Sequence, residues 1–232
     1  MRHEIPASAS GYFGTMVESY DSLIRRAVPR YDEMTARLVD YLPANAERVL
    51  ELGCGTGNLS LELAKRFPRS TLTFVDGSAE MTQLTETRIK TEHRHAGAEV
   101  YLVRRFEDLE FDEDAFDLVV SSISLHHVKD KASLYRRIRS FMRAGGIFVF
   151  SDQLRGETES NHGVNWNRWL EFCRLPGNCT NDEIQSLLDH AAAHDHYTPL
   201  SEHTSLLHDA RFAKVDCVWR NLMWGIVTAV AA

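Results

Sequence analysis

The chain has 232 residues, 44% hydrophobic and 25% charged, which suits a single α/β domain that buries roughly 70% or more of its unfolded surface without disulfide or metal staples. Lys and Arg total 26 against 33 Asp and Glu, a formal charge of −7, which argues against the clustered basic surface of a broad nucleic-acid binder. Cys54, Cys173, Cys179 and Cys217 fit no zinc spacing, residues 1–10 lack the apolar core of a signal peptide, and no apolar run can span a bilayer, so a cytoplasmic protein is expected.

Residues 1–45 read as a loose start and two helical pieces broken at Val28-Pro29, expected to form a lid. A core over 46–154 opens with the short apolar strand Val49-Leu50-Glu51-Leu52 and a glycine loop. Leu59, Leu63 and Phe67 then recur at helical spacing until Pro68 stops the helix. Thr71 to Val75 is a β-branched second strand ending at Asp76, and Ser78 can cap a helix running to about Lys90 with Met81 and Leu84 inward. Val100–Val103 and Phe116–Ser124 are the third and fourth strands.

A helix over Lys131–Met142 turns Leu134, Ile138, Phe141 and Met142 inward and Arg136, Arg137, Arg139 and Arg143 outward. Gly145 and Gly146 are expected to end it, and Gly146–Ser151 forms a fifth strand. Residues 155–200 interrupt the rhythm with helical sequence rich in Trp and His, expected to cap the ligand end of the sheet. Residues 201–232 supply a last helix and a closing hairpin. Strands alternating with helices predict a doubly wound, mostly parallel sheet.

Ligands of such sheets bind beyond the carboxyl ends of the strands, where strand order reverses. There the first strand ends in Gly53-Cys54-Gly55-Thr56-Gly57, whose glycines let the backbone turn sharply and approach a ligand closely. Asp76 stands nineteen residues beyond Gly57, placed to accept both ribose hydroxyls of an adenosine. A dinucleotide site shares this geometry, but its fingerprint wants a glycine where Asn58 and Leu59 stand. Glu51 adds a negative charge near the loop, suited to ammonium and sulfonium groups and hostile to a pyrophosphate.

These stretches, with Phe116-Asp117-Leu118-Val119-Val120-Ser121, Leu125-His126-His127-Val128 and Ala144-Gly145-Gly146, resemble the class I S-adenosylmethionine-dependent methyltransferases. The resemblance implies a seven-stranded sheet with its last strand antiparallel, and S-adenosylmethionine as cofactor. It places Gly53, Cys54 and Gly55 along the methionine half, Asp76 on the ribose, and Gly77 and Met81 beside the adenine. Glu51, Arg105, Phe106, Ser121 and Ser122 complete the expected set, with Tyr20 closing the site from the lid.

The segments around Ser22–Tyr31 and His203–Phe212 are similar to carboxy-S-adenosylmethionine synthases, a family of tRNA-modification enzymes in which the residue matching Tyr31 contacts the cofactor's amino-acid end. Two departures weigh against that activity. Arg104-Arg105-Phe106 replace an acidic residue after the third strand, and 181–200 contains no arginine to hold an extra carboxylate.

For an alcohol or phenol acceptor the reaction needs alignment and a proton acceptor, and His126, His127 and Asp152 are the candidates. No Asn-Pro-Pro-Tyr or Asp-Pro-Pro-Tyr sequence for adenine-amino methylation follows the fourth strand. His190, His194, His196 and His203 lack a Cys or acidic partner at convincing spacing, so no metal is expected. Trp166, Trp169 and Phe172 form a helical stripe suited either to a substrate pocket or to cap packing. The expected partner is a small-molecule substrate, with neither membrane nor nucleic acid, and a homodimer left open. A non-catalytic cofactor-binding protein is the rival outside enzymology.

Overall fold

The computed structural model describes residues 8, 11 and 19–232, so most of the expected loose start lies outside the described residues. The two helical pieces of the lid are α1 (Tyr20–Ala27) and α2 (Tyr31–Asp40). Between them Val28 is extended and Arg30 takes a left-handed φ of 63°, which re-aims the chain after Pro29.

The strands are β1 (Arg48–Leu52), β2 (Thr71–Asp76), β3 (Glu99–Val103), β4 (Phe116–Ser122), β5 (Met142–Arg155), β6 (Thr198–Pro199), β7 (Phe212–Asn221) and β8 (Trp224–Ala231). Seven of them form one sheet in the order β3-β2-β1-β4-β5-β8-β7. The first five run parallel, and β8 inserts antiparallel between β5 and β7. The doubly wound sheet expected from the sequence is the one observed, with β6 added as a two-residue strand on the far end of β5.

The helices joining these strands are α3 (Asn58–Arg66), α4 (Ala79–Arg88), α5 (Lys131–Phe141), α6 (Glu159–Cys173), α7 (Asn181–His194) and α8 (Leu200–Asp209). Side chains of a strand alternate between faces, and here both faces are covered. On β4, Leu118 and Val120 belong to the core shared with α1–α3 and the cap, whereas Val119 belongs to the core under α5 and α8. All three are fully buried, which explains why the strand reads as a continuous apolar run.

Three local expectations need correction. Helix α5 stops at Phe141, ahead of the glycines, and β5 starts at Met142. The register jumps from Phe116↔Met142 to Leu118↔Ile147, so Gly145 and Gly146 serve a β-bulge rather than a helix end. On α4 the buried face is Met81, Thr82 and Thr85, continued by Ile89 in a π-helical turn, while Leu84 is only half-buried. The arginines expected to face out are not all merely solvated: Arg137 on α5 donates to the Leu109 carbonyl at 2.6 Å, and Arg143, which lies at the start of β5, pairs with Asp117 at 2.8 Å.

The cap docks on the lid. Trp169 Nε1 on α6 donates to the Ala27 carbonyl at 2.9 Å, satisfying a buried acceptor at the end of α1. Arg26 forks onto both oxygens of Glu183 on α7, at 2.9 and 2.7 Å. Trp169 lies in the core with Trp166 and Phe172 packed against it, so the aromatic stripe is packing. Among the described residues no helix is long and apolar enough to cross a membrane.

Candidate functional site

The chain leaves β1 in a tight turn, with the N–H groups of Gly53 and Cys54 both donating to the Val75 carbonyl at 2.8 and 3.0 Å. Gly53 has a φ of +76°, and a Cβ there would stand 2.4 Å from the Cβ of Ser124, so only glycine fits. Gly55 has a φ of +53°, and a Cβ added to it would meet nothing within 4 Å. It faces open space.

That space is a cavity of about 450 Å³ beyond the carboxyl ends of β1, β2 and β4, within the range of small-molecule sites. Of the residues expected around a cofactor, Gly53, Gly55, Asp76, Gly77 and Met81 line it. Tyr20, Arg105, Phe106 and Ser122 do so as well. The remainder of the wall includes Arg104, Ile123 and Ser124 near the loop, and His127, His194 and His196 toward the cap.

Asp76 joins the two loops of this floor. One carboxylate oxygen accepts the Gly55 N–H and the other accepts the Ser78 N–H, each at 2.9 Å. Burial raises its pKa, and these backbone bonds act in the opposite direction.

Four expected residues stand behind the cavity wall. Glu51 is buried and accepts the Ser60 hydroxyl at 2.6 Å; burial pushes its pKa up to about 8, so at neutral pH it does not supply the expected negative charge. Cys54 packs into the core, its thiol held well above the ordinary range by burial. The Ser121 hydroxyl donates to the Leu52 carbonyl at 2.9 Å. Tyr31 is buried, with its hydroxyl accepting from Asn58 at 3.3 Å, and Tyr20 reaches the cavity instead.

The expected catalytic residues separate in the same way. His126 and Asp152 are buried and locked together: Asp152 accepts the His126 backbone N–H at 2.8 Å and lies 2.5 Å from its Nδ1. Neither lines the cavity. Burial lowers the His126 pKa, but Asp152 and Asp195 outweigh it and raise the net value. His127, the third candidate, does line the cavity, and burial followed by the charge of His126 pushes it down to about 4.

The sequence reading missed Asp195. It follows α7 directly, and its Oδ1 lies 3.1 Å from His127 Nδ1, 3.6 Å from His190 Nε2 and 3.7 Å from His126 Nε2. Its other oxygen accepts the Tyr197 hydroxyl at 2.5 Å. Burial alone would raise its pKa, yet His126 and His127 hold it well below the usual carboxylate range. Its local neighbours His190 and Tyr197 do not mark it by themselves, because His126 and His127 lie 69 and 68 residues earlier, just beyond β4.

Residues 49–146, which contain the glycine loop, Asp76, β4 and both histidines, match the family model described as a methyltransferase domain. Over that stretch, less than half of its length, the chain is similar to methyltransferase domains. It is 30% identical over 140 residues to a ubiquinone/menaquinone biosynthesis C-methyltransferase of Geobacter sp. (strain M21), covering 59% of each protein. Against a carboxy-S-adenosyl-L-methionine synthase of Nautilia profundicola the identity is 23% over 208 residues, covering 87% of this chain and 86% of the relative. The fold also superposes on Haemonchus contortus phosphoethanolamine N-methyltransferase 2, solved with phosphomonomethylethanolamine and S-adenosylhomocysteine, with a TM-score of 0.67 at 15% identity over 98% of this chain and 61% of that one. The chain thus spans less than two thirds of the length of the Geobacter and Haemonchus proteins.

The cavity suits S-adenosylmethionine, the cofactor that this similarity implies. Each Asp76 oxygen is engaged by one backbone N–H and has a further lone pair for a ribose hydroxyl. Met81 and Phe106 offer apolar surface to an adenine, and the open face of Gly55 lets a ligand approach the backbone.

Proposed function

We propose that this chain is a methyltransferase that moves the methyl group of S-adenosylmethionine to a small polar acceptor held between the glycine loop and the cap. The observation that carries the reading is the Asp76–Gly55 bond, which fixes a ribose-accepting carboxylate against an open glycine floor in one cavity. When bound, the cofactor supplies an electrophilic methyl on a sulfonium.

The chain's own part is to align and to exclude water. Ser122, Ser124, His127, His194 and His196 bound the cavity beyond the loop and can orient hydroxyl, amine or carboxylate groups of an acceptor. Tyr20 closes it from α1. The net charge of −7 favours a small acceptor over nucleic acid. Calorimetry with S-adenosylmethionine, S-adenosylhomocysteine and NAD tests the site, and methyl transfer to a panel of small acceptors tests the reaction. Binding of NAD but of neither adenosyl compound would overturn both.

The similarity to the Nautilia synthase, which extends over most of both chains, supports a second reading as a carboxy-S-adenosylmethionine synthase. Against it, residues 181–200, which contain the whole of α7, have no arginine for a second carboxylate. Supplying prephenate and searching for carboxylated cofactor by mass spectrometry separates the two. A chain that binds cofactor but turns over neither type of substrate would be a binding protein.

A further inference from the structure

His126, His127, His190 and Asp195 come from two distant parts of the chain and meet where the cap touches the end of β4. One donor atom from each of His126, His127 and Asp195 lies within 4.8 Å of the other two. His190 Nε2 approaches the same Asp195 oxygen. In a tetrahedral site with bonds of about 2.0–2.1 Å, neighbouring donors stand about 3.3 Å apart. The three imidazole nitrogens lie 3.1, 3.6 and 3.7 Å from Asp195 Oδ1, bracketing that value.

The surroundings are those of a ligand set held ready. A metal-bound histidine typically gives its other ring nitrogen to a carboxylate, which fixes the ring. His126 does this: Asp152 holds Nδ1 at 2.5 Å and thereby turns Nε2 toward Asp195. The Tyr197 hydroxyl holds the second oxygen of Asp195 in the same way. Lys131, itself buried, donates to the carbonyls of Val128 at 2.9 Å and His196 at 2.6 Å, tying together the two loops that carry the cluster. Two carboxylates, Asp152, which is buried, and Asp195, whose side chain is almost covered, draw positive charge into a small volume.

We propose that His126, His127, His190 and Asp195 bind a divalent first-row metal ion, of which zinc is the natural probe, and that the ion pins the cap to the carboxyl end of the sheet. Three imidazoles and one carboxylate form a donor set that suits zinc, cobalt or nickel rather than magnesium or calcium. Through His127 the ion would stand directly behind the wall of the cavity.

The test uses the full chain after treatment with EDTA. Calorimetry with Zn²⁺ should give one ion per chain at sub-micromolar affinity, and Zn²⁺ should raise the melting temperature. Co²⁺ should give the intense visible bands of four-coordination. His190→Ala and Asp195→Asn should each weaken Zn²⁺ binding at least a hundredfold, whereas His194→Ala, on the same helix but outside the set, should change it less than threefold. Asp152→Asn should cost about ten- to a hundredfold by loosening His126. Binding unchanged in His190→Ala and Asp195→Asn would mean that other histidines hold the ion. If those variants do not fold, the wild-type cobalt spectrum decides, and weak six-coordinate bands or no binding overturn the proposal. None of these readouts depends on methyl transfer.

Discussion

Asp76 at the end of β2 accepts the backbone N–H of Gly55 at 2.9 Å, so the carboxylate offered to a ribose also braces the loop beneath it. The bond to the Ser78 N–H gives the same carboxylate a hold on the start of α4. An exposed strand-end carboxylate would leave stability untouched when removed, but this one will not. Asp76→Ala should weaken S-adenosylmethionine binding about ten- to a thousandfold, as expected for one or two charge-assisted bonds. It should also lower the stability of the ligand-free chain by about 1–3 kcal/mol, since two backbone donors lose their acceptor. Asp76→Asn should retain part of both. Wild-type affinity in Asp76→Ala by calorimetry would refute the ribose assignment.

The two glycines that shape the floor should fail in different ways. Gly53→Ala drives a Cβ into Ser124 at 2.4 Å and forces a positive φ, so it should destabilise the chain by several kcal/mol and abolish binding as a consequence. Gly55→Ala meets no atom within 4 Å and carries only the left-handed backbone penalty of about 1–2 kcal/mol. Its methyl group would instead occupy space needed by a ligand. Thermal melts and cofactor titrations of the pair should therefore separate a folding defect from a binding defect. Equal affinity of Gly55→Ala and wild type would place the ligand elsewhere in the cavity.

What could be read in advance was local. The loop 53–57, the distance to Asp76 and the alternation of strands and helices are carried by short-range spacing, and the sheet follows them. The end of α5 was misread because glycines after an amphipathic run suit a helix terminus and a bulge equally well, and only pairing with β4 distinguishes them. Glu51 shows a second limit, since sequence supplies a formal charge while burial decides whether it is carried. Asp195 shows a third: its meaning arises when the end of α7 reaches the end of β4, a meeting no local pattern encodes.

Glu51 makes stability depend on pH with a definite sign. Its carboxyl, raised by burial from 4.5 to about 8, keeps a proton in the folded chain that the unfolded chain releases. Between these values the folded state binds more protons, so this contribution is complete below about pH 4.5 and is lost as the pH rises toward 8. The gap corresponds to at most about 5 kcal/mol. Glu51→Gln should remove that slope, and its melting temperature should gain on wild type by several degrees between about pH 5 and pH 8. Parallel curves for the two proteins would mean that Glu51 ionises freely beneath the loop.

The lid and cap connect distant packing to the cavity. Tyr20 lines the cavity from α1, and α1 is held at its other end by the Trp169–Ala27 bond of 2.9 Å and the Arg26–Glu183 fork. Cofactor binding should therefore slow hydrogen exchange in α1 more than in α2, whose Tyr31 is buried away from the cavity. Trp169→Phe removes the donor to a buried carbonyl and should cost about 1–2 kcal/mol. Glu183→Gln should cost about 1 kcal/mol, because the pair is partly exposed. If α1 transmits that loosening, both variants should exchange faster in α1 and bind S-adenosylmethionine several-fold more weakly, although neither residue lines the cavity. Faster exchange with unchanged affinity would make Tyr20 a bystander in the wall. Unchanged exchange would show that α1 is held by burial of its own Leu23 and Ile24 rather than by these polar ties.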